Sequence, residues 1–157
     1  MDPKLESYLK KYNINYVKYD HPAVFTVQES NNVNLNLKCL HAKSLFLKDE
    51  KGRFYLVCME ANKRLDMKFL QKHLNVSKLR FASPEELKKE LKLTPGSVSI
   101  FGMIYPQNVK LIIDKTVWEA DTVGFHPNIN TSTLEIDHEN LEKFLDSLNC
   151  IKDTILL

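Results

Sequence analysis

Lys43 stands in the stretch HAKSLFLKD (residues 41–49), two residues ahead of an apolar run, Leu45 to Leu47. That run reads as a strand covered on both faces. Side chains alternate along a strand, so Lys43 shares a face with Leu45 and Leu47. A long cation there has three options: to reach the surface, to pair with a carboxylate, or to point into a cleft that receives something negative. A second stretch, GFHPNINTST (residues 124–133), is unusual for other reasons. Gly124 lets the backbone turn or come close to a ligand, and Pro127 fixes one φ and holds His126 extended. Asn128, Asn130 and Thr131 have side chains that bond local backbone groups. The result is a stiff loop between two strands. It is either a well-made turn or a preorganised set of N–H donors for a developing oxyanion or a bound ester.

The remaining chemistry-bearing residues carry less. Cys39 and His41 share a face of an extended segment with no third group to orient them, so a small buried thiol beside an imidazole is favoured over a nucleophile pair. Cys58, in FYLVCME, is a core residue, and Trp118 packs rather than serving as a stacking platform. The sequence contains no GxSxG elbow, P-loop or GxGxxG. Three scattered cysteines argue against a disulfide framework, and neither CxxC nor HxxxH spacing is present to hold a metal.

Around these residues the chain shows clear element signals. Asp2–Pro3 starts a helix with an apolar stripe of Leu5, Leu9 and Tyr12, and YVKYD reads as a short strand. Thr26 to Glu29 has capping-box spacing and starts a second helix. Strands at 43–48 and 54–60, joined by DEKGR, form a hairpin. A helix at about 66–74 comes next, then a short extended piece and a second capping box, Ser83 to Glu86. A turn at LTPGSV leads into a strand through SIFGM, and NVKLIID (108–114), TVGFH and TSTLEI are three more strands. Asp137 caps a final amphipathic helix bearing Leu141, Phe144, Leu145 and Leu148. Helices and six or so strands interleave without strict βαβ alternation. The expectation is one α+β domain over residues 1–157, with a mixed, curved sheet and surrounding helices.

Composition narrows the function classes. At 157 residues the chain suits one domain, able to bury roughly 70% of its unfolded surface. A net charge of +2 is too mild to announce a nucleic-acid protein by electrostatics alone, although 22 lysines and arginines leave room for a local basic patch. No apolar run is long enough for a membrane span and no signal-peptide core is present, so a cytoplasmic protein without membrane contact is expected.

Four segments, HAKSLFLKDEKGRFYLV, LRFASPEEL, TPGSVSIFGMI and VGFHPNINTSTLEI, occur in the order and spacing of the YbaK/ProX prolyl-tRNA editing family. The resemblance runs from about residue 20 to 148 and is closest to the free-standing branch that removes alanine from mischarged proline tRNA. It implies an editing-domain fold and hydrolysis of an aminoacyl-tRNA ester without metal, cofactor or side-chain nucleophile. The terminal ribose hydroxyl of the tRNA and a bound water help to carry the reaction in this family. The implied partners are the 3′ end of mischarged tRNA(Pro) and prolyl-tRNA synthetase. Carried over residue by residue, the resemblance implies catalytic roles for Lys43, Gly124 and His126. It implies substrate contacts for Ser44, Leu45, Phe125, Pro127 and Asn130. Relatives usually have asparagine where this chain has Ser44, which implies a slightly roomier pocket. Two alternatives stay open beside alanine removal: a deacylase for mischarged cysteine or serine, and a catalytically silent tRNA- or synthetase-binding module of the same fold.

Overall fold

A computed structural model describes residues 1–23, 26, 37–105 and 108–157. Helix α1 (Pro3–Lys11) begins where Asp2 accepts from the Lys4 N–H, and it buries Leu5 and Leu9. Strand β1 (Val17–Asp20) follows. Strands β2 (Leu40–Asp49) and β3 (Phe54–Glu60) form the expected antiparallel hairpin, with β2 three residues longer at its start than the apolar pattern alone suggests. Helix α2 (Met67–Leu74) is capped by Asp66, and β4 (Leu79–Phe81) pairs with the end of β2. Helix α3 (Pro84–Leu91) carries the full reciprocal capping box between Ser83 and Glu86.

After α3 the structure departs from the sequence reading. SIFGM does not form a strand: Ile100–Ile104 is a 3-10 helix, started by the Ser99 hydroxyl accepting from the Phe101 N–H. Apolar residues all round that turn are buried, and a short run of this kind does not distinguish strand from helix. Strand β5 (Val109–Asp114) leads into a one-turn helix α4 (Lys115–Trp118), then β6 (Thr122–Phe125) and β7 (Ser132–Asp137). Asp137 caps α5 (His138–Ser147), and a further strand, β8 (Lys152–Ile155), closes the described elements. The helix expected from Thr26 to Glu29 lies largely outside the described residues.

The eight strands make one mixed, open sheet in the order β1-β7-β6-β2-β3-β5-β8, with β4 on β2. β6 runs parallel to β2, and β3, β5 and β8 run parallel to one another. One face of the sheet carries the larger core. Phe46, Leu56, Cys58, Leu111, Val123, Phe125, Leu134 and Ile136 pack there against α1, α3 and α5. The other face has a smaller core, Leu47, Tyr55, Val57, Met59 and Ile112 with Leu70 of α2. That second cluster draws on β2, β3 and β5 and on none of β1, β6 or β7. Alternation therefore leaves the β1-β7-β6 half of that face to polar side chains, and the candidate site lies there.

Candidate active site

One edge of β2 pairs with β3 from Ala42 to Lys48. Its other edge pairs with β6 at Leu40 and His41, and with β4 from Leu47 to Asp49. Between those contacts, Ala42 to Leu45 have no strand partner on that edge among the described residues. The sheet splits there. Two residues past the His41–Gly124 pair, β2 presents Lys43, while β6 has ended at Phe125 and turned into the loop carrying His126.

Lys43 lies on the face of Leu45 and Leu47, as the alternation requires, and is half-buried. Its ammonium donates to the backbone carbonyl of Lys63. Burial lowers its pKa from the ordinary 10.5. Lys63 is itself held fast. Its ammonium reaches Asp114 Oδ2 at 3.0 Å, Thr116 Oγ1 at 2.7 Å and the Leu157 carbonyl at 3.1 Å. Asp114 is wholly buried and also accepts from the N–H groups of Thr116 and Leu157. The carbonyl that orients Lys43 thus belongs to a residue fixed by a buried ion pair. An ammonium has three protons, so the Lys63 carbonyl leaves donor capacity for a ligand.

Gly124 lies within β6, paired to both β2 and β7, and its φ is outside the left-handed region. Of the two roles open to a glycine here, a turn is not taken, and close packing is the reason for it. A Cβ there would lie 3.1 Å from Cys39 Sγ, 3.1 Å from Thr133 Cγ2 and 3.5 Å from His41 Nδ1. These three side chains converge over Gly124 on the Lys43 face of the sheet. Burial pushes the Cys39 thiol up to about 11, with the Glu135 carboxylate adding to the shift, so Cys39 is a thiol and not a thiolate at neutral pH.

His126 Nδ1 lies 3.2 Å from the Ser132 carbonyl, which makes Nδ1 the protonated nitrogen and leaves Nε2 as an acceptor. Burial, with a smaller contribution from nearby His21, lowers the His126 pKa below 6.5 and outweighs the Ser132 carbonyl. The ring is therefore neutral at pH 7. His21 stands edge-on to it at 6.2 Å and binds Thr133 Oγ1 through Nε2 at 2.9 Å. His21 was missed in the sequence, though a signal was present: it precedes Pro22 as His126 precedes Pro127, giving two His-Pro dipeptides whose rings meet. Lys63 and Asp114 were missed as well, and neither carries a local signal.

The remaining expected residues divide. Leu45 shares the Lys43 face and packs against the smaller core. Ser44 turns the other way, opposite Cys58, whose thiol it hydrogen-bonds. Phe125 is 2% exposed and meets Phe101 edge-to-face at 5.6 Å, so its side chain belongs to the larger core and only its backbone borders the split. Pro127 is buried, and Asn130 is half-buried in the loop. Asn128 takes a positive φ of 63° and anchors that loop, its Nδ2 lying 3.4 Å from the Phe101 carbonyl and 3.5 Å from Asp2 Oδ2. Among the described residues, no three His, Cys, Asp or Glu side chains are grouped so as to hold a metal ion, and no helix is long and apolar enough to cross a membrane.

Comparison with known proteins identifies the family. A family model described as the aminoacyl-tRNA editing domain matches residues 21–144. The prolyl-tRNA editing protein ProX of Acetoanaerobium sticklandii is 37% identical over 140 residues, covering 87% of this chain and 85% of that protein. Prolyl-tRNA synthetase associated domain-containing protein 1 of Danio rerio is 31% identical over 147 residues, covering 91% and 80%. A crystal structure described as a candidate trans-editing enzyme for prolyl tRNA synthetase superposes with a TM-score of 0.74 at 19% identity, covering 97% of each chain, and shows the same fold. A domain match over most of the chain and a relative of this identity are together decisive: the chain belongs to the aminoacyl-tRNA editing domain family.

Proposed function

We propose that this protein is a trans-editing deacylase that hydrolyses mischarged tRNA(Pro), and that alanine is the residue it removes. The observation that carries the reading is the split between β2 and β6, where Lys43 and Gly124 lie on one sheet face, His126 follows in the loop beyond β6, and Lys43 meets, among the described residues, a carbonyl instead of a carboxylate. A cation held in that way keeps its charge for a ligand, and the tRNA 3′ end offers phosphate and ribose oxygens.

The ester lies at the split beside Gly124, whose own position over the sheet is filled by Cys39, His41 and Thr133. Water adds to the carbonyl carbon, the bond to the ribose oxygen breaks, and that oxygen leaves with a proton. Within β6 the N–H groups serve the two flanking strands, so donors to the oxyanion come from the loop beyond Phe125, where pairing ends. Neutral His126, with Nε2 free to accept, walls the aminoacyl pocket together with Leu45, Pro127 and Asn130. Ser44 affects the pocket width through the position of the strand, since its side chain turns towards Cys58. Alanine is smaller than proline, so selectivity arises by exclusion of the pyrrolidine ring and not by added contact. The relatives named for association with prolyl-tRNA synthetase support that enzyme as a further partner.

The test is a deacylation panel of tRNA(Pro) charged with alanine, serine, cysteine and proline. Release of alanine with retention of proline is the expected result. Efficient release of proline would refute the editing role, and preference for serine or cysteine would move the substrate assignment without moving the chemistry.

A further inference from the structure

Helix α1 has a second face besides the Leu5–Leu9 stripe that it buries. Lys4, Ser7, Tyr8 and Lys11, at helical spacing i, i+3, i+4 and i+7, line a cleft of about 260 Å³ with Ile104 and Tyr105 on the opposite wall. An adjoining cleft of about 350 Å³ shares Tyr8, Ile104 and Tyr105 and continues past Tyr12 to Ser147–Cys150. The walls combine aromatic rings with cations. Lys4 Nζ lies 5.5 Å from the centre of the Tyr105 ring, Lys11 Nζ lies 5.4 Å from that of Tyr12, and Tyr8 and Tyr12 stand 4.7 Å apart.

Neither cleft is lined by a carboxylate. The nearby Asp2 is spoken for: it caps α1 and accepts from the Tyr105 hydroxyl at 2.7 Å. Glu6, on the same helix, stands off the Lys4–Lys11 stripe. The cleft and the candidate site lie on opposite faces of the sheet and are joined through Asp2, whose Oδ2 the Asn128 side chain of the His126 loop approaches at 3.5 Å.

We infer that this tyrosine–lysine cleft is a docking surface for the RNA strand of the substrate tRNA next to its acylated end. The bases would stack on the tyrosine rings and the phosphates would meet Lys4 and Lys11. Stacking on aromatic side chains with lysines tracking the backbone is the chemistry by which proteins hold RNA without reading its sequence. A protein with a net charge of only +2 needs its cations gathered on one path to do so. The inference rests on tRNA being the substrate of the site above.

The experiment measures affinity of the full chain for fluorescent, uncharged tRNA(Pro) across a salt series, alongside steady-state deacylation. Lys4→Glu/Lys11→Glu is expected to weaken binding about tenfold or more. It should also reduce the slope of log K against log[salt] by roughly 1.4–1.8, two phosphate contacts' worth. KM should rise while kcat holds. Lys4→Ala/Lys11→Ala should act in the same direction more weakly, and it secures the test if the charge reversal perturbs folding. Tyr12→Ala should weaken binding without changing the salt slope. Wild-type affinity and slope in both lysine variants would overturn the docking surface, as would a wild-type protein that binds no tRNA. If the wild type binds tRNA through these residues but deacylates nothing, the surface stands and the editing reading falls. If it deacylates and the lysine variants keep both KM and affinity, the reverse holds.

Discussion

Lys43 and Lys48 leave the same strand from opposite faces and meet different partners. Lys48 binds Glu86 at 2.6 Å and lies over the Phe54 ring at 5.1 Å. Glu86 also accepts from Arg80 and closes the capping box of α3. Those hydrogen bonds, Arg80 first and then Lys48, hold its carboxyl well below the usual carboxylate range. At that end of β2 each charge is answered by another, and the elements β2, β4 and α3 are tied together. At the other end, Lys43 has a carbonyl where Lys48 has a carboxylate, and burial lowers the Lys43 pKa. Among the described residues Lys48 has an anion of its own, whereas Lys43, which we propose serves a ligand, is oriented by a neutral dipole.

The comparison breaks most sharply on Lys43→Ala. A hydrogen bond to a charged group is worth about 1.5–3 kcal/mol, so deacylation should fall on the order of ten- to a hundredfold. The melting temperature should stay close to that of the wild type. A large drop in melting temperature, with activity following it, would make Lys43 structural like Lys48. The rate should also decline on the alkaline side as Lys43 loses its proton below 10.5, once spontaneous ester hydrolysis is subtracted. Stability should not follow that decline. With a folded pKa below the unfolded one, the unfolded chain binds more protons in this window, and the Lys43 contribution to stability rises with pH.

Gly124→Val should damage both fold and rate, since a branched side chain would be driven into Cys39 and Thr133 at the β2–β6 junction. Overpacking of this kind costs about 1–3 kcal/mol. Thermal melts and rates of Gly124→Ala and Gly124→Val separate two causes. An alanine variant that melts normally but deacylates slowly would show that the packing of Cys39, His41 and Thr133 over Gly124 sets the geometry of the site. Near wild-type turnover by the valine variant would remove Gly124 from the site.

Acid should act on the Lys48 end. Asp49 has a fully buried side chain and accepts from Tyr55 Oη, Arg53 Nε and the N–H groups of Lys51 and Arg53. Burial alone would raise its pKa, but these bonds win and lower it from 3.8 to about 2. Its contribution, on the order of 2 kcal/mol, is present above the unfolded value and is lost as pH falls from about 4 towards 2. Melts of the wild type and Asp49→Asn across that range check it. The wild type should lose its advantage over the variant, and a constant difference would show that the buried carboxylate is not the cause.

The smallest effect is expected for Lys48→Ala. A partly exposed ion pair contributes at most about 1 kcal/mol, so the melting temperature should fall by a few degrees and deacylation should be unchanged. A loss of rate larger than that of Lys43→Ala would reverse the assignment of the two lysines.

Much of this architecture was legible because its signals are local. A capping side chain acts within three residues, so Asp2, Ser83 and Asp137 each mark a helix start in the sequence and in the structure. The β2–β3 hairpin follows from two apolar runs and a polar turn, and the face that Lys43 occupies follows from a period of two. The family was legible in four spaced segments. The 3-10 turn at Ile100–Ile104 was not, because an apolar run of that length reads the same in either conformation.

Tertiary structure alone decided the rest. β8 has only four residues and a weak apolar pattern, and it is a strand because β5 offers it a parallel edge. Pairing of β2 with β6 joins residues some eighty positions apart, and nothing near either segment encodes the register that sets Gly124 beside His41. The same is true of the Lys63 carbonyl under Lys43 and of Asp114 beneath Lys63. A side chain's type and its face are properties of neighbouring residues in the chain. Whether a cation meets a carboxylate or a carbonyl depends on which distant segment the fold brings against it, and that gave Lys43 and Lys48 their different partners.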